Sequence, residues 1–356
     1  MVLSRFVGAE VRRKEDPRLI TGSSTYVDDL KVPGMGVVAL VRSPHPHAKI
    51  VSIDKAAALA MPGVLAVVTG DELAQFCGSL AGGSAEGGSG EEANPVQHEE
   101  EAEASPPIWP LARGKVRYVG EAVVAVVAES KYQAADAAEA VEVEYDALDS
   151  ITDPEAAMKD GAPQIYASQK NNIGARWDRD HGDIEAAFKS APIVAKARIR
   201  SQRLSAVPME GRAVAAMPDP LINGLTVWTS TQAPHWNRSG IAAAIGLPST
   251  KVRAIAPEVG GGFGVKIGAY QEDFIVAALA YKMQRPLKWI ETRTENFLAT
   301  NHGRDQWADV EIAADAARRK MISLPESIDR LKGTSFRYPP ALVARLLAED
   351  AADSTE

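Results

Sequence analysis

The chain has 356 residues, 46% hydrophobic and 24% charged, enough for one large or two ordinary cores, and two domains is the expectation. Its net charge of -8 argues against nucleic acid as a partner, because neutralising phosphates takes a basic surface and Arg12-Arg13-Lys14 is too short to supply one. One cysteine, Cys77, excludes an internal disulfide framework and any Cys-x-x-Cys metal or iron–sulfur site. With no apolar run near the ~18 residues of a membrane helix and no secretory signal, no membrane partner is expected and the chain reads as soluble and cytoplasmic.

In chain order, Gly36 to Arg42 reads as a strand, Lys55 to Ala60 as a helix and Val64 to Thr69 as a strand. Gly78 to Gly90 is rich in Gly and Ser and Glu91 to Glu103 is acidic, so a flexible insertion is expected over about 78–107. The apolar run Ala122 to Ala128 reads as a strand, Ser130 to Ala140 as a helix, and Val141 to Tyr145 as an alternating strand with one wet face. Residues 151–174, with Pro154 and Pro163, read as a linker. Beyond it come a short helix at Asp183 to Phe188, strands at Ile193 to Arg203, Gly211 to Met217 and Leu225 to Thr229, and a helix at Trp236 to Ile245. Lys251 to Ala256 reads as a strand, and Tyr270 to Met283 places Phe274, Ala277, Ala278 and Tyr281 at helical spacing.

Between these last two elements lies Gly260-Gly261-Gly262-Phe263-Gly264-Val265-Lys266-Ile267-Gly268. Glycine lets backbone amides approach a bulky group closely and accepts positive φ, and a strand, glycine loop and helix in succession would aim free amides at an anion. The spacing is neither a dinucleotide fingerprint, since Gly268 comes one position late, nor a Walker loop, since Ile267 follows Lys266. From these residues alone a ligand cradle and a structural turn packing helix on strand both remain open. His45, His47, His98, His181, His235 and His302 show no metal-ligand clustering, and His45 and His47 are expected to be structural.

The glycine run, followed by Arg285-Pro286-Leu287-Lys288-Trp289 and Arg293-Thr294-Glu295-Asn296, resembles the large subunits of the molybdenum hydroxylases: xanthine dehydrogenase, aldehyde oxidase and aerobic carbon monoxide dehydrogenase. Arg13 to Gly22, Tyr26 to Leu30, Val41 to Ile50, Val119 to Tyr145, Met209-Glu210-Gly211-Arg212 and Thr231-Gln232-Ala233-Pro234-His235 continue the match in order over roughly residues 5–313. The resemblance implies an α+β fold: an α/β hammerhead domain over 1–150, then the first part of a molybdopterin-binding domain over 175–313. It implies molybdopterin carrying molybdenum, the cytosine dinucleotide form included, with no direct protein ligand to the metal. Gln232 would hydrogen-bond an oxygen on the metal, Phe263 would wall the metal side, and the amides of Gly261, Gly262 and Gly264 would face the cofactor. The 2Fe-2S clusters and FAD would sit on partners, an iron–sulfur small subunit and an FAD-binding medium subunit.

The departures carry equal weight. Large subunits of the family are about twice this long, and the other half supplies the rest of the pocket and the glutamate that acts as base. No residue here is therefore assigned as catalytic base, and Glu210 and Glu272 read as salt-bridged or surface groups. Residues 314–356 do not resemble the family. Ile267 stands where purine hydroxylases carry an acidic residue, which fits the aldehyde and carbon monoxide branches better. Three readings stay open: a fragment completed by a second chain that supplies the missing half, a truncated product without activity, or a non-catalytic module that engages the iron–sulfur and flavin partners.

Overall fold

Every residue of Ala122–Ala128 is buried, and the way this strand divides its side chains organises the molecule. Ala125 and Val127 face one apolar cluster, while Val124 and Val126 face another. A strand covered on both faces has no wet side, so its sequence is a continuous apolar run instead of an alternation. Each fully buried valine stabilises the fold by roughly 1.5–3 kcal/mol.

The computed structural model describes residues 12–80, 106–174, 182–315 and 320–323. The expected insertion over Gly78 to Gly90 and Glu91 to Glu103 lies largely outside them, as do His98, His181 and most of the 314–356 tail. The elements begin with α1 (Asp16–Ile20), β1 (Gly36–Arg42), β2 (Ala48–Asp54), α2 (Ala56–Leu59), β3 (Val64–Thr69), α3 (Gly70–Leu73), β4 (Lys115–Val116), β5 (Ala122–Ala128), α4 (Lys131–Glu139) and β6 (Glu142–Ala147). There follow α5 (Pro154–Ala157), α6 (Ile184–Ser190), β7 (Ile193–Ser201), β8 (Ala213–Asp219), β9 (Gly224–Thr229), α7 (Pro234–Ala244) and β10 (Val252–Ile255). Then come α8 (Gln271–Met283), β11 (Leu287–Ile290), α9 (Arg293–Ala299), β12 (Gln306–Asp315) and β13 (Lys320–Ser323). No helix among the described residues is long and apolar enough to cross a membrane.

A seven-stranded mixed sheet in the order β10-β9-β8-β11-β1-β5-β3 forms the centre. It takes strands from both halves of the sequence, joined where β1 pairs in parallel with β11, Gly36 beside Leu287. Two three-stranded antiparallel sheets flank it, β4-β2-β6 and β13-β12-β7. The segment expected as a linker carries α5, capped by Asp153 through the Ala156 amide at 2.7 Å. The Asn172 amide ties that segment together by donating to the carbonyls of Ala157 and Pro163 at 3.1 and 3.0 Å.

Helix α8 departs from the expected amphipathic pattern, for Glu272 through Ala280 are all buried. Sheet and neighbouring helices surround it, so its polar start must be satisfied internally. The Arg212 guanidinium reaches Glu272 Oε2 at 2.7 Å and Glu291 Oε1 at 2.7 Å, and Arg42 reaches Glu272 Oε1 at 2.7 Å and Glu295 Oε1 at 2.8 Å. Asn296 donates to Glu291 Oε2 at 2.8 Å. Burial works to raise the Glu272 carboxyl, but Arg212 and Arg42 outweigh it and hold the group at about 2. Glu272 is thus the salt-bridged residue expected from the sequence.

The Val119-Gly120-Glu121 turn sits against α9. Gly120 has φ +95, and a Cβ there would lie 2.7 Å from the Leu298 side chain, so only glycine fits. Burial pushes the neighbouring Glu121 carboxyl up to about 7 although the Arg117 amide donates to it.

Two outcomes are expected. Arg212→Met leaves Glu272 and Glu291 buried without their shared cation and should cost about 3–5 kcal/mol in urea unfolding. Glu121 is raised from 4.5 to about 7 in the folded state, so the native protein binds the extra proton between those values and loses stability as pH rises through that window. Glu121→Gln should remove this part of the slope in unfolding free energy measured from pH 4 to 8.

Candidate functional site

The glycine loop leaves β10 and returns to α8, and its backbone is unusual at three consecutive turning points: φ is +99 at Gly261, +53 at Phe263 and +92 at Gly264. A non-glycine residue in the left-handed region is strained unless its surroundings hold it there. Phe263 is nonetheless 77% exposed. It is therefore not a core residue, and the bend presents its ring outward. Gly264 faces open space, with nothing within 4 Å of a Cβ built on it, whereas a Cβ on Gly262 would lie 2.3 Å from Gln232 Oε1.

The glycines do not themselves form the start of the helix. Helix α8 begins at Gln271, beyond the glycines, and the Tyr270 amide at its start donates to Asp273 Oδ2 at 2.9 Å. Burial pushes the Asp273 carboxyl up to about 6, against hydrogen bonds from the Tyr270 amide and the Thr229 hydroxyl. The Tyr270 amide is thus committed within its own turn, and the carboxylates of Glu272 and Asp273 make that turn unfavourable for an anion.

Gln232 supplies the second arm, at the junction between β9 and α7. Its backbone N–H donates to the Lys266 carbonyl at 2.7 Å. Its side-chain Oε1 accepts from the Gly264 amide at 3.1 Å and the Lys266 amide at 3.3 Å. The Gly264 amide, expected to face a cofactor, is thus committed to Gln232. Both loop partners are N–H donors, so the amide can only turn its oxygen inward, which leaves Nε2 as the outward donor. Thr231 Oγ1 also donates to the Lys266 carbonyl, at 3.1 Å.

The structure therefore brings Gln232, Gly262 and Gly264 into direct mutual contact, with Gly261 and Phe263 on the same bend. Beneath them lies a polar layer in which Glu210, expected to be salt-bridged or at the surface, finds a partner that the sequence reading did not name. Glu210 and Lys266 form an ion pair at 2.9 Å with the Lys266 side chain fully buried, and burial lowers the Lys266 pKa against the opposing pull of Glu210. The signal was present in that Lys266 lies within the glycine run and Glu210 sits in one of the matched motifs. Ile267, beside Lys266, is 41% exposed, and its apolar side chain offers no hydrogen bond. Elsewhere, His47 Nδ1 lies 2.8 Å from the Asp149 carbonyl, a structural contact. Burial pushes the Cys77 thiol up to about 12, which keeps it an unreactive thiol. A separate cleft of about 730 Å³, lined by Tyr118, Tyr166, Gln271, Phe297 and Asn301 among others, shares no residue with the glycine loop.

A family model described as the molybdopterin cofactor-binding domain matches residues 165–323, and one described as the aldehyde oxidase and xanthine dehydrogenase a/b hammerhead domain matches 21–149. The nicotinate dehydrogenase large molybdopterin subunit of Eubacterium barkeri is 30% identical over 341 residues, covering 92% of this chain and 70% of that protein. The chain belongs to the molybdopterin-binding large subunits of the molybdenum hydroxylases. Its fold is accordingly a hammerhead domain followed by a molybdopterin-binding domain. The gamma subunit of the 6-hydroxypseudooxynicotine dehydrogenase complex of Paenarthrobacter nicotinovorans is 38% identical, covering 96% of this chain and 41% of its own length. The quinoline 2-oxidoreductase structure from Pseudomonas putida 86 superimposes with a TM-score of 0.78 at 35% identity, covering 86% of this chain and 37% of that one. This family member thus spans about two fifths of the length of several relatives.

Gly262→Ala should cost roughly 1–3 kcal/mol by driving a methyl into the Gln232 side chain. Gln232→Ala in the same chain should recover most of that loss, and a double-mutant cycle by chemical denaturation checks the coupling.

Proposed function

We propose that Gln232 and the Gly261–Gly264 bend form one wall of the molybdopterin site, and that the completed protein carries out molybdenum-dependent oxidation of a small molecule. The observation that carries this reading is the fixed orientation of the Gln232 amide. With Oε1 held by two loop amides, Nε2 is a preorganised donor facing away from the loop, where it can bond an oxygen of the cofactor and polarise a reacting group. The open space before Gly264 and the outward Phe263 ring fit a bulky planar group laid against the bend. When bound, molybdenum supplies the redox chemistry, taking up the electrons released as a water-derived oxygen enters the substrate.

Of the forms of molybdopterin, the cytosine dinucleotide is included in this proposal. The electrons would leave through an iron–sulfur small subunit and an FAD-binding medium subunit, since one cysteine cannot ligate a cluster here. A cytoplasmic location goes with these partners. For substrate, Ile267 favours an aldehyde, carbon monoxide or a related small molecule over a purine. A second reading, a nitrogen heteroaromatic ring, is favoured by relatives whose names refer to nicotinate, a nicotine derivative and quinoline.

The test uses the complex purified from cells that also express its companion polypeptides. Gln232→Ala should leave molybdenum content nearly unchanged and lower turnover by about 10²-fold, the scale of one lost oxyanion-type donor. Gly264→Val should instead remove molybdenum. Gly161→Val, at a glycine outside the loop with φ +79 and open surroundings, controls for backbone strain. Equal molybdenum content in the two valine variants would overturn the cradle reading.

A further inference from the structure

We infer that Glu210 is the positioning residue of this site, the group that holds the glycine loop in register with the strand end bearing Gln232. A single atom, Glu210 Oε2, accepts from three separate stretches of chain: the Gly260 amide at 2.7 Å, the Ser230 hydroxyl at 2.8 Å and the Lys266 ammonium at 2.9 Å. Gly260 opens the glycine run, Lys266 lies toward its far end, and Ser230 lies just before Thr231 and Gln232. One carboxylate oxygen therefore joins both ends of the loop to the arm that the loop works with.

The contact is close on the backbone side too. The Glu210 N–H donates to the Gly260 carbonyl at 3.1 Å. A Cβ on Gly260 would lie 2.5 Å from the Glu210 Cβ, so the first glycine of the run is required by Glu210 and not by a cofactor. The other carboxylate oxygen, Oε1, is buried and accepts no hydrogen bond among the described residues, so the hold of the side chain passes through Oε2. Lys266 in turn meets the Gln232 arm through its own amide and carbonyl. Moving its ammonium off Glu210 would loosen the same residue that fixes the Gln232 amide. Charge-assisted hydrogen bonds in a partly dehydrated site are the strong ones, and three on one atom set the loop's position before any cofactor arrives.

The inference rests on the cofactor reading only for what the loop is held to do, and its test needs no cofactor. Hydrogen–deuterium exchange on the full chain reports the amides of Gly264 and Lys266, and trypsin reports access to the bond after the buried Lys266. Glu210→Ala should speed exchange at those amides by roughly tenfold or more, the scale of one charge-assisted bond lost. It should also open a tryptic cut after Lys266, while amides in β5 and in the middle of α8 keep wild-type exchange. Glu210→Gln retains an acceptor for Gly260 and Ser230 and should fall between wild type and Glu210→Ala. Should Glu210→Ala fail to fold, Glu210→Gln and Ser230→Ala still decide the matter, each speeding loop exchange severalfold. Wild-type loop exchange in these variants, or a uniform rise across the whole chain, would overturn the inference. Failure of the cofactor reading is a separate result, seen in the molybdenum content of Gly264→Val.

Discussion

A guanidinium cannot be buried without anions, and the rest of this structure is arranged around meeting that demand at Arg212. Its two carboxylate partners come from different elements, Glu272 from the first turn of α8 and Glu291 from just after β11. Glu272 is shared with Arg42 at the end of β1, which also holds Glu295 on α9. The centre of the Tyr270 ring lies 3.9 Å from the Arg212 guanidinium carbon. Such a network adds little net stability over well-packed apolar side chains. Its geometry is restrictive, however, because each partner has one direction in which it can bond. Here it sets how α8, α9 and the β1–β11 seam meet.

The two ends of the glycine loop are set by the frame around it. Its exit is fixed because α8 is fixed: Glu272 lies a few residues after Lys266 and cannot move without breaking two ion pairs. Its entry is fixed by β10, paired in parallel with β9 at the sheet edge. Between these anchors the loop must bulge, and positive φ at Gly261, Phe263 and Gly264 is how a short segment does so. The buried polar layer makes the backbone stiff while the outward surface, Phe263 and Gln232 Nε2, is left for a ligand. Rigidity below and availability above are what a preorganised binding wall requires.

Much of this was readable in the sequence, and the exceptions have physical causes. Strands β1, β3 and β5 are apolar runs bounded by turn residues, and they emerge from pattern alone. Helix α3 was missed although Thr69 and Glu72 form a reciprocal cap, the Thr69 amide bonding Glu72 at 2.8 Å, because it opens on a glycine and carries a single large apolar residue, Leu73. Strand β12 was missed for a different reason. It pairs with β7 along its length, and the outer face of that ribbon is polar, with Lys196 opposite Glu311 and Arg198 opposite Asp309. Complementary charges two residues apart in each strand were the available signal, and an apolar template does not see them. In the site, the sequence pointed to Gln232 and the glycines, while the Glu210 clamp stayed hidden because its partners are distant in sequence. The direction of the Gln232 amide depends on two backbone donors, and no motif encodes them.

The seam between β1 and β11 also bears on how the chain is made. The Gly34 carbonyl accepts from Arg285 across 251 positions of sequence, so one edge of β1 stays unpaired until nearly the whole central sheet has left the ribosome. At about 5–20 residues per second this interval lasts on the order of tens of seconds. Meanwhile Val37, which pairs with Lys288 in the finished sheet, has only Ala128 beside it, and its free edge is open to any neighbouring strand. The nascent chain is thus most prone to misassociation in the interval before Leu287 emerges, and chaperone cover would have to last until then.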